Sequence, residues 1–147
     1  MKEDLKDHLI KFEGLVNKPY ECTSGKLSIG VGRNLEDNGI TTDEALFLLD
    51  NDINNVLTEL KAQFVWFESA PENAKLVLSD MCFNLGLPTL LAFKKMLLAF
   101  AEQDWDEAAK QILDSKYAKQ VGRRAIYNAS LIEAIMDDKW VNKSERT

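Results

Sequence analysis

Apolar positions recur at helical spacing along most of the chain. The strongest pattern covers residues 42–60, which follow a capping box formed by Thr41 and, three residues on, Glu44. One face of this segment carries six apolar residues: Leu46, Leu49, Ile53, Val56, Leu57 and Leu60. A shorter N-terminal segment can end at Gly14 and has its own apolar face: Leu5, Leu9 and Phe12. The pattern predicts a mainly helical protein.

Residues 17–34 break this pattern. Leu27, Ile29 and Val31 alternate with small or polar residues, after a turn signal in the letters TSGK. This predicts a short β-hairpin or small sheet. We therefore expect an α+β fold of one domain over residues 1–147. Its small β-containing lobe (about 13–45) is joined by the long helix to a larger all-helical lobe (1–12 and 60–147).

Turn residues and helix starts punctuate the second half of the chain. Pro71 can start a helix that ends at Gly86, and Pro88 with Thr89 can start a single helix that runs to Gln103. The remaining signals predict two more helices, one capped by Asp104 and one after Gly122 that faces inward with five residues: Ala125, Ala129, Ile132, Ile135 and Met136.

Composition limits the classes of function. The chain has 147 residues, 46% of them hydrophobic, so a domain of this size buries roughly 68–70% of its unfolded surface without disulfides. The net charge of -6 argues against a nucleic-acid partner, which would need a basic face. We expect the two cysteines, Cys22 and Cys82, to be free thiols, and one histidine with two distant cysteines predicts no metal or other cofactor.

Membrane and export signals are weak. Charges interrupt residues 1–15, so we expect no Sec-directed export, and polar residues, glycine and proline interrupt the apolar run at 76–93. We therefore expect no stable association with a membrane, and a monomer.

Glu13 is the first candidate for chemistry. A carboxylic acid at a helix end, backed by apolar neighbours such as Phe12 and Leu15, keeps its proton more readily because burial disfavours the charged form. Such a group can act as the general acid in glycoside cleavage. The alternative is an ordinary solvated glutamate.

Cys22 is the second candidate, because a polar turn is an unusual place for a core thiol. A nucleophilic cysteine would need a histidine, and His8, the only one, lies on a charged helix where a surface role is expected. The alternative for Cys22 is a small, half-buried apolar residue. The letters GVGRNL match only part of a dinucleotide fingerprint, since the third glycine is missing and no helix signal follows.

Several blocks of the sequence resemble one family. The stretch FEGLVNKPYECTSGKLSIGVGRNL, followed by GITTDEA, resembles the active-site lobe of the phage-type lysozymes, glycoside hydrolase family 24, as in the T-even phages. The resemblance continues in DMCFNLG with Phe93 beyond it, in WDEAAKQI and in GRRAIYNASLIEAIMDDKW, and so covers nearly the whole chain.

The resemblance implies roles for particular residues. Glu13 matches the general acid, Cys22 the position that activates water, Ser28 the hydroxyl that helps place this water, and Gly32 a cleft-floor glycine. Five residues match positions that line the glycan groove or support the acid: Asn34, Phe83, Asn84, Gln111 and Arg124.

Three positions depart from the T-even pattern. Cys22 stands where a carboxylate is found, Ser28 replaces threonine, and Arg33 follows Gly32 where histidine is frequent. An ordinary thiol has a pKa near ~8.5, which Glu21 would raise and which Lys18, Lys26 or Arg33 could lower. Glu21 is the adjacent one, and no histidine is placed to take a proton. We therefore expect Cys22 to position a water molecule rather than to take its proton.

The implied function is that of an endolysin or muramidase. It would hydrolyse the β-1,4 bond between N-acetylmuramic acid and N-acetylglucosamine in bacterial peptidoglycan, with about 6.5–9.5 Å between the two catalytic groups for an attacking water. The alternatives are a lytic transglycosylase that forms a 1,6-anhydro product, and an inactive glycan-binding module. The family further implies residence in the host cytoplasm until a holin-type permeabilising protein gives access to the periplasm and cell wall.

Overall fold

The computed structural model describes the backbone of residues 1–145 and the side chains of residues 1–135. Within this range the chain forms a small antiparallel sheet of three strands and a series of helices, which confirms the α+β, mainly helical fold. The chain divides into two compact units, Met1–Leu49 and Asp50–Thr147, and the boundary falls inside one helix. Residues 1–12 belong to the first unit in this division, and the lobe assignment made from the sequence remains a prediction.

The first unit contains the sheet. Helix α1 (Lys2–Glu13) precedes strands β1 (Val16–Glu21), β2 (Leu27–Gly30) and β3 (Arg33–Asn34), a short helix α2 (Leu35–Asn38) and the first part of α3 (Thr42–Gln63). The strands lie in the order β1-β2-β3. Tyr20 pairs with Ser28, but the register shifts between Val16 and Tyr20. Pro19 lies in this irregular stretch. Proline has no N–H to donate to a neighbouring strand, and it is therefore tolerated where the ladder of hydrogen bonds is interrupted.

The predicted hairpin turn is confirmed. The Cys22 N–H donates to the carbonyl of Lys26, and the Gly25 N–H donates to the carbonyl of Cys22, each over 2.9 Å. Gly25 has a φ of 78°, a left-handed conformation that glycine adopts without strain.

Helix α2 was not predicted, so the statement that no helix signal follows GVGRNL is wrong. Asn34 caps this helix by accepting a 3.0 Å hydrogen bond from the Asp37 N–H. With four residues α2 is too short to show apolar periodicity, and only its cap residue marks it in the sequence.

The apolar faces predicted on α1 and early α3 are exposed. No residue of α1 is buried, and Phe12 is 69% exposed. On α3 only Leu60 is buried, whereas Leu46 and Ile53 are exposed. Helical spacing therefore predicts these helices correctly without predicting burial of their apolar sides.

The second unit is helical. After the rest of α3 it contains α4 (Glu72–Leu85), α5 (Leu87–Leu91), α6 (Lys94–Ala101), α7 (Trp105–Asp114), α8 (Lys116–Val121) and α9 (Arg123–Glu145). The predicted boundaries at Pro71, Gly86, Asp104 and Gly122 are confirmed, and the Asp104 carboxylate accepts from the Glu107 N–H over 3.2 Å.

The single helix predicted from Pro88 to Gln103 is wrong, because the chain breaks it at Ala92 and Phe93 into α5 and α6. Phe93 has a non-helical ψ of 60°, and its ring packs edge-on against Tyr117 with 6.3 Å between centroids. This aromatic contact comes from a distant part of the sequence. Helix α8 was also missed, since its six residues carry little periodicity beyond the cap at Ser115.

Every buried apolar side chain that the structure describes lies between Leu60 and Ile135, in the second unit. The inward-facing residues predicted on α9 are confirmed: Ala125, Ala129, Ile132 and Ile135. Met136 lies outside the described side chains. Among the described residues, the helices lack the combination of length and apolar composition that crossing a bilayer requires.

Candidate active site

Glu13 and Gly32 lie against each other in the first unit. Glu13 is the last residue of α1, and Gly32 stands between β2 and β3 with a φ of 66°. A Cβ atom on Gly32 would lie 3.1 Å from Oε2 of Glu13. Any larger residue at position 32 would therefore be strained in its backbone and would crowd the carboxyl group. The structure thus brings the predicted acid and the predicted cleft-floor glycine together.

The apolar backing expected around Glu13 is absent. Glu13 is exposed, and its neighbours Phe12 and Leu15 are 69% and 57% exposed. These two side chains do not exclude water from the carboxyl group, so this part of the sequence argument is wrong. His8 packs instead against Phe12, with 4.8 Å between ring centroids, which agrees with its expected surface role.

Cys22 lies at the end of β1 among hydroxyl and backbone hydrogen-bonding groups. Its thiol is free, and its Sγ is 3.0 Å from Oγ of Ser24. Hydrogen bonding to Ser24 is the largest of the effects that lower the pKa of Cys22 to about 7, with further contributions from the backbone of Lys26 and Ser24 and the hydroxyl of Ser28. The pKa of the Cys22 thiol is therefore lower than that of an ordinary thiol, and the raising effect expected from Glu21 is not among its causes. Ser24, two residues on, is the signal that the sequence analysis missed.

Ser28 is the buried member of this group, with 2% of its surface exposed. It pairs with Tyr20 across the sheet, and its Oγ donates to the carbonyl of Lys26 over 3.2 Å. The Lys26 carbonyl also accepts from the Cys22 N–H. The Lys26 carbonyl therefore accepts hydrogen bonds from both Cys22 and Ser28 and links the two residues.

Ionic contacts hold this turn and the strand beyond it. The Lys26 ammonium lies 3.5 Å from Glu36 and 3.3 Å from Asp37, both on α2. Arg33 donates two hydrogen bonds, of 2.9 and 2.8 Å, to the carboxylate of Glu44, and a third to the carbonyl of Gly39. Arg33 therefore fastens β3 to the start of α3.

Glu44 has a second partner in the capping box, as predicted. Its carboxylate accepts a 2.8 Å hydrogen bond from the Thr41 N–H, while the Glu44 N–H donates to the Thr41 hydroxyl. The hydrogen bonds from Arg33, followed by those from Thr41, lower the pKa of Glu44 to about 2. The sequence marked Glu44 as a cap residue but gave no sign that it binds Arg33.

Both the oxygen and the nitrogen of the Asn34 side-chain amide make hydrogen bonds within the first unit. Its Oδ1 caps α2, and its Nδ2 donates to the Asp37 carboxylate over 3.0 Å. Its predicted contact with a glycan stays a prediction.

In the second unit, Phe83 and Asn84 are exposed near the end of α4. Gln111 on α7 donates a 2.7 Å hydrogen bond to Glu107. It also borders a cavity of about 320 Å³ whose lining includes Phe93 and Asp114. Their predicted roles in glycan binding likewise stay predictions.

Arg124, on α9, binds Asp80 of α4. Its Nε lies 3.0 and 3.2 Å from the two carboxylate oxygens, and its Nη2 also donates to Oδ1. Burial alone would raise the pKa of Asp80, but hydrogen bonds from Arg124 and Asn128 outweigh it, so that the pKa is lowered. The sequence analysis selected Arg124 and missed Asp80, which is 44 residues away along the chain.

Comparisons with known proteins identify relatives of the chain. The family model described as phage lysozyme matches residues 10–133. Two probable T4-type lysozymes of Dictyostelium discoideum, numbered 2 and 1, are 24% and 25% identical over 90% of this chain and 95% of their own length. The pre-baseplate central spike protein of Enterobacteria phage T4 is 30% identical over 105 residues, which is 67% of this chain. The chain spans 18% of the length of that spike protein. These matches support a lysozyme-like glycan hydrolase.

Proposed function

The chain belongs to the phage lysozyme family, and on this premise we propose that it is a muramidase. Its substrate is the β-1,4 bond between N-acetylmuramic acid and N-acetylglucosamine in bacterial peptidoglycan. The observation that carries the proposal is the first unit's arrangement of Glu13 against Gly32, in the same unit as the Cys22 and Ser28 turn.

Glu13 acts as the general acid. It gives its proton to the glycosidic oxygen as the bond from that oxygen to the anomeric carbon breaks, so the leaving sugar departs as a neutral alcohol. Gly32 leaves room for the carboxyl group beside the backbone, because a side chain there would occupy the same space.

Cys22 acts as the general base. Since its pKa is about 7, thiol and thiolate are present in comparable amounts near neutral pH. The thiolate takes a proton from water as the water oxygen bonds to the anomeric carbon, and the Ser28 hydroxyl helps to hold this water. One water is consumed, Cys22 ends as a thiol and Glu13 as a carboxylate, and exchange with solvent restores both. The lowered pKa favours this role over the water positioning suggested by the sequence.

The biological role that fits this reaction is lysis of a bacterial host. We propose that the protein stays in the host cytoplasm as a monomer until a holin-type permeabilising protein opens a route to the wall. This part of the proposal rests on the family, whose model is described as phage lysozyme.

One observation favours a second candidate, a lytic transglycosylase. Cys22 is not a carboxylate, and a transglycosylase needs no group to activate water, because a hydroxyl of the substrate attacks instead. Glu13 would then act first as acid and afterwards as base, and the product would be a 1,6-anhydro sugar.

Clearing of peptidoglycan by the purified protein tests the proposed function. We expect it to lower the turbidity of outer-membrane-permeabilised cells and of purified wall sacculi, and to release soluble glycan fragments. A protein that sediments with the sacculi but neither clears them nor releases fragments would contradict the enzyme and indicate a glycan-binding module.

A further inference from the structure

Arg124 uses one edge of its guanidinium group for Asp80. The Nε and Nη2 atoms both donate to this carboxylate, a side-on geometry that fixes the plane of the group. The side chains of Arg124 and Asp80 are 40% and 29% exposed. Among the described residues no hydrogen-bond partner is found for Nη1 of Arg124. The pair therefore lies at the surface of the second unit, and Nη1 of the arginine makes no hydrogen bond to the part of the chain that the structure describes.

Asp80 is itself fixed from its other side. Nδ2 of Asn128 donates to Asp80 over 2.9 Å and to Oη of Tyr117 over 3.1 Å. Asn128 and Tyr117 are 4% and 2% exposed, so this end of the network lies in the core. Because buried Asn128, itself held by Tyr117, donates to Oδ2 of Asp80, the core fixes one oxygen of the carboxylate that orients the arginine.

The pairing also changes what Arg124 can bind. Asp80 is ionised at neutral pH, so its charge offsets that of the guanidinium group. A compensated arginine is a strong hydrogen-bond donor but a weak attractor of distant anions. The free edge is therefore suited to an uncharged oxygen, such as a sugar hydroxyl or the carbonyl of an N-acetyl group.

We propose that Asp80 is a positioning residue that holds Arg124 so that its free edge binds an uncharged oxygen of the glycan. This inference rests on the proposed function, and it takes Arg124 as the glycan contact that the family resemblance implies. The peptide stems of the wall, which carry carboxylates, are not what this edge recognises.

The test measures binding apart from catalysis. Peptide-free glycan strands, prepared by removing the stems with an amidase, are titrated onto the Glu13→Gln protein with Asp80 and Arg124 varied singly and together. Loss of an oriented, charge-assisted hydrogen bond should weaken binding about tenfold or more in Asp80→Ala and in Arg124→Ala. Asp80→Asn, which keeps the shape and one acceptor, should recover most of this loss.

The double variant separates positioning from a general structural role. If Asp80 acts through Arg124, Asp80→Ala should cost no further affinity once Arg124 is alanine. A further, additive loss would overturn the proposal, as would parent-like binding by Asp80→Ala. If Asp80→Ala melts below the assay temperature, Asp80→Glu is used instead. Glutamate keeps the negative charge but moves the carboxylate away from its position beside Arg124.

Salt dependence tests the nature of the acceptor. Asp80→Asn leaves the arginine charge uncompensated, so its binding to stem-bearing strands should gain a salt dependence that the parent lacks. Equal salt dependence in both proteins would contradict the charge argument. These binding results are independent of whether the active protein clears walls, so a failed proposed function is recognised separately.

Discussion

The two units differ in what holds them together. In the first unit the described residues include one buried side chain, the hydroxyl-bearing Ser28, and its main tertiary contacts are ionic or polar. In the second unit a continuous apolar core runs from Leu60 to Ile135. Full burial of one large apolar side chain is worth about 1.5–3 kcal/mol, whereas an exposed ion pair is worth about 0–1 kcal/mol. The unit with the candidate acid and base is therefore the one with less packing to stabilise it.

The two cysteines show the same contrast on a smaller scale. Hydrogen bonds lower the pKa of Cys22 in the first unit, whereas burial, together with the charge of Glu59, raises the pKa of Cys82 in the second. The pKa of a thiol controls its reactivity, so Cys22 is the cysteine expected to react and Cys82 the one expected to be inert. The proposed chemistry therefore lies in the unit that has less apolar packing.

The largest effect is expected from Glu13→Gln. This change removes the transferable proton, and general acid catalysis contributes roughly 10²–10⁴-fold to rate, so wall clearing should be lost. The melting temperature should stay the same or rise slightly, because functional carboxylates are seldom optimal for stability. Turbidity assays and thermal melting check both, with Glu3→Gln on the same helix as the control. Clearing by Glu13→Gln at more than a few per cent of the parent rate would remove Glu13 from the acid role.

A matched pair of leucines tests where the stability resides. Leu78→Ala in the second unit removes a side chain with 0% exposure and should destabilise the protein by about 2–5 kcal/mol. Leu48→Ala in the first unit removes a side chain that is 52% exposed and should cost under about 1 kcal/mol. Chemical denaturation gives both values. Equal losses would show that Leu48 is packed as tightly as Leu78 and would break the contrast between the units.

Substitution at Cys22 should have a smaller effect on activity than loss of the acid. Cys22→Asp should keep activity because it supplies another base, Cys22→Ser should keep some, and Cys22→Ala should lose most. These are measured as initial rates of wall clearing. Parent-like activity in Cys22→Ala would exclude this residue from hydrolysis and favour the transglycosylase.

The pH dependence of the same reaction distinguishes a Cys22 that acts as general base from a Cys22 that only positions water. Since the thiolate is the active form and its pKa is about 7, the rate of the parent relative to that of Cys22→Asp, which keeps the same Glu13, should rise as pH increases through about 7. Alkylation by iodoacetamide should follow the same midpoint at Cys22, while the buried Cys82 reacts far more slowly. A relative rate that does not change across this range would return Cys22 to the water-positioning role.

The ion pair of Arg33 and Glu44 should give the smallest effect. The pKa of Glu44 is about 2 when folded and 4.5 ordinarily. A lowered pKa means that the pair stabilises the fold fully above pH 4.5 and loses this contribution as the pH falls towards about 2. Glu44→Gln should remove this acid-dependent part of the stability, and Arg33→Gln should remove the larger share of it, because the hydrogen bonds from Thr41 remain.

Amide hydrogen exchange of residues 33–44, measured at neutral and acid pH, is the sensitive readout, because an exposed pair affects local opening more than global melting. If acid loosens this segment equally in the parent and in both variants, the pair does not hold β3 to α3.

The sequence predicted features that depend on single residues or on long periodic segments. Gly14 and Gly86 mark helix ends, Thr41, Asp104 and Gly122 mark starts, and the long helix at 42–60 is periodic enough to be unambiguous. Helices α2 and α8 were not predicted, because segments of four and six residues are too short to show a helical periodicity.

The features that were missed depend on residues far apart in the sequence. The break at Phe93 depends on packing against Tyr117, and the partner of Arg124 lies on another helix. The spacing of Glu13, Cys22 and Ser28 was visible in the sequence. The pKa of Cys22 was not, because it depends on how the turn directs its hydrogen bonds.

The mass of the released product tests the central claim most directly. In the proposed reaction, water deprotonated by Cys22 attacks the anomeric carbon while Glu13 protonates the leaving oxygen. Muropeptides released from purified sacculi by the parent protein should then end in reducing N-acetylmuramic acid and become reducible by borohydride. Fragments lighter by one water, with a 1,6-anhydro end that borohydride does not reduce, would contradict hydrolysis and establish the transglycosylase.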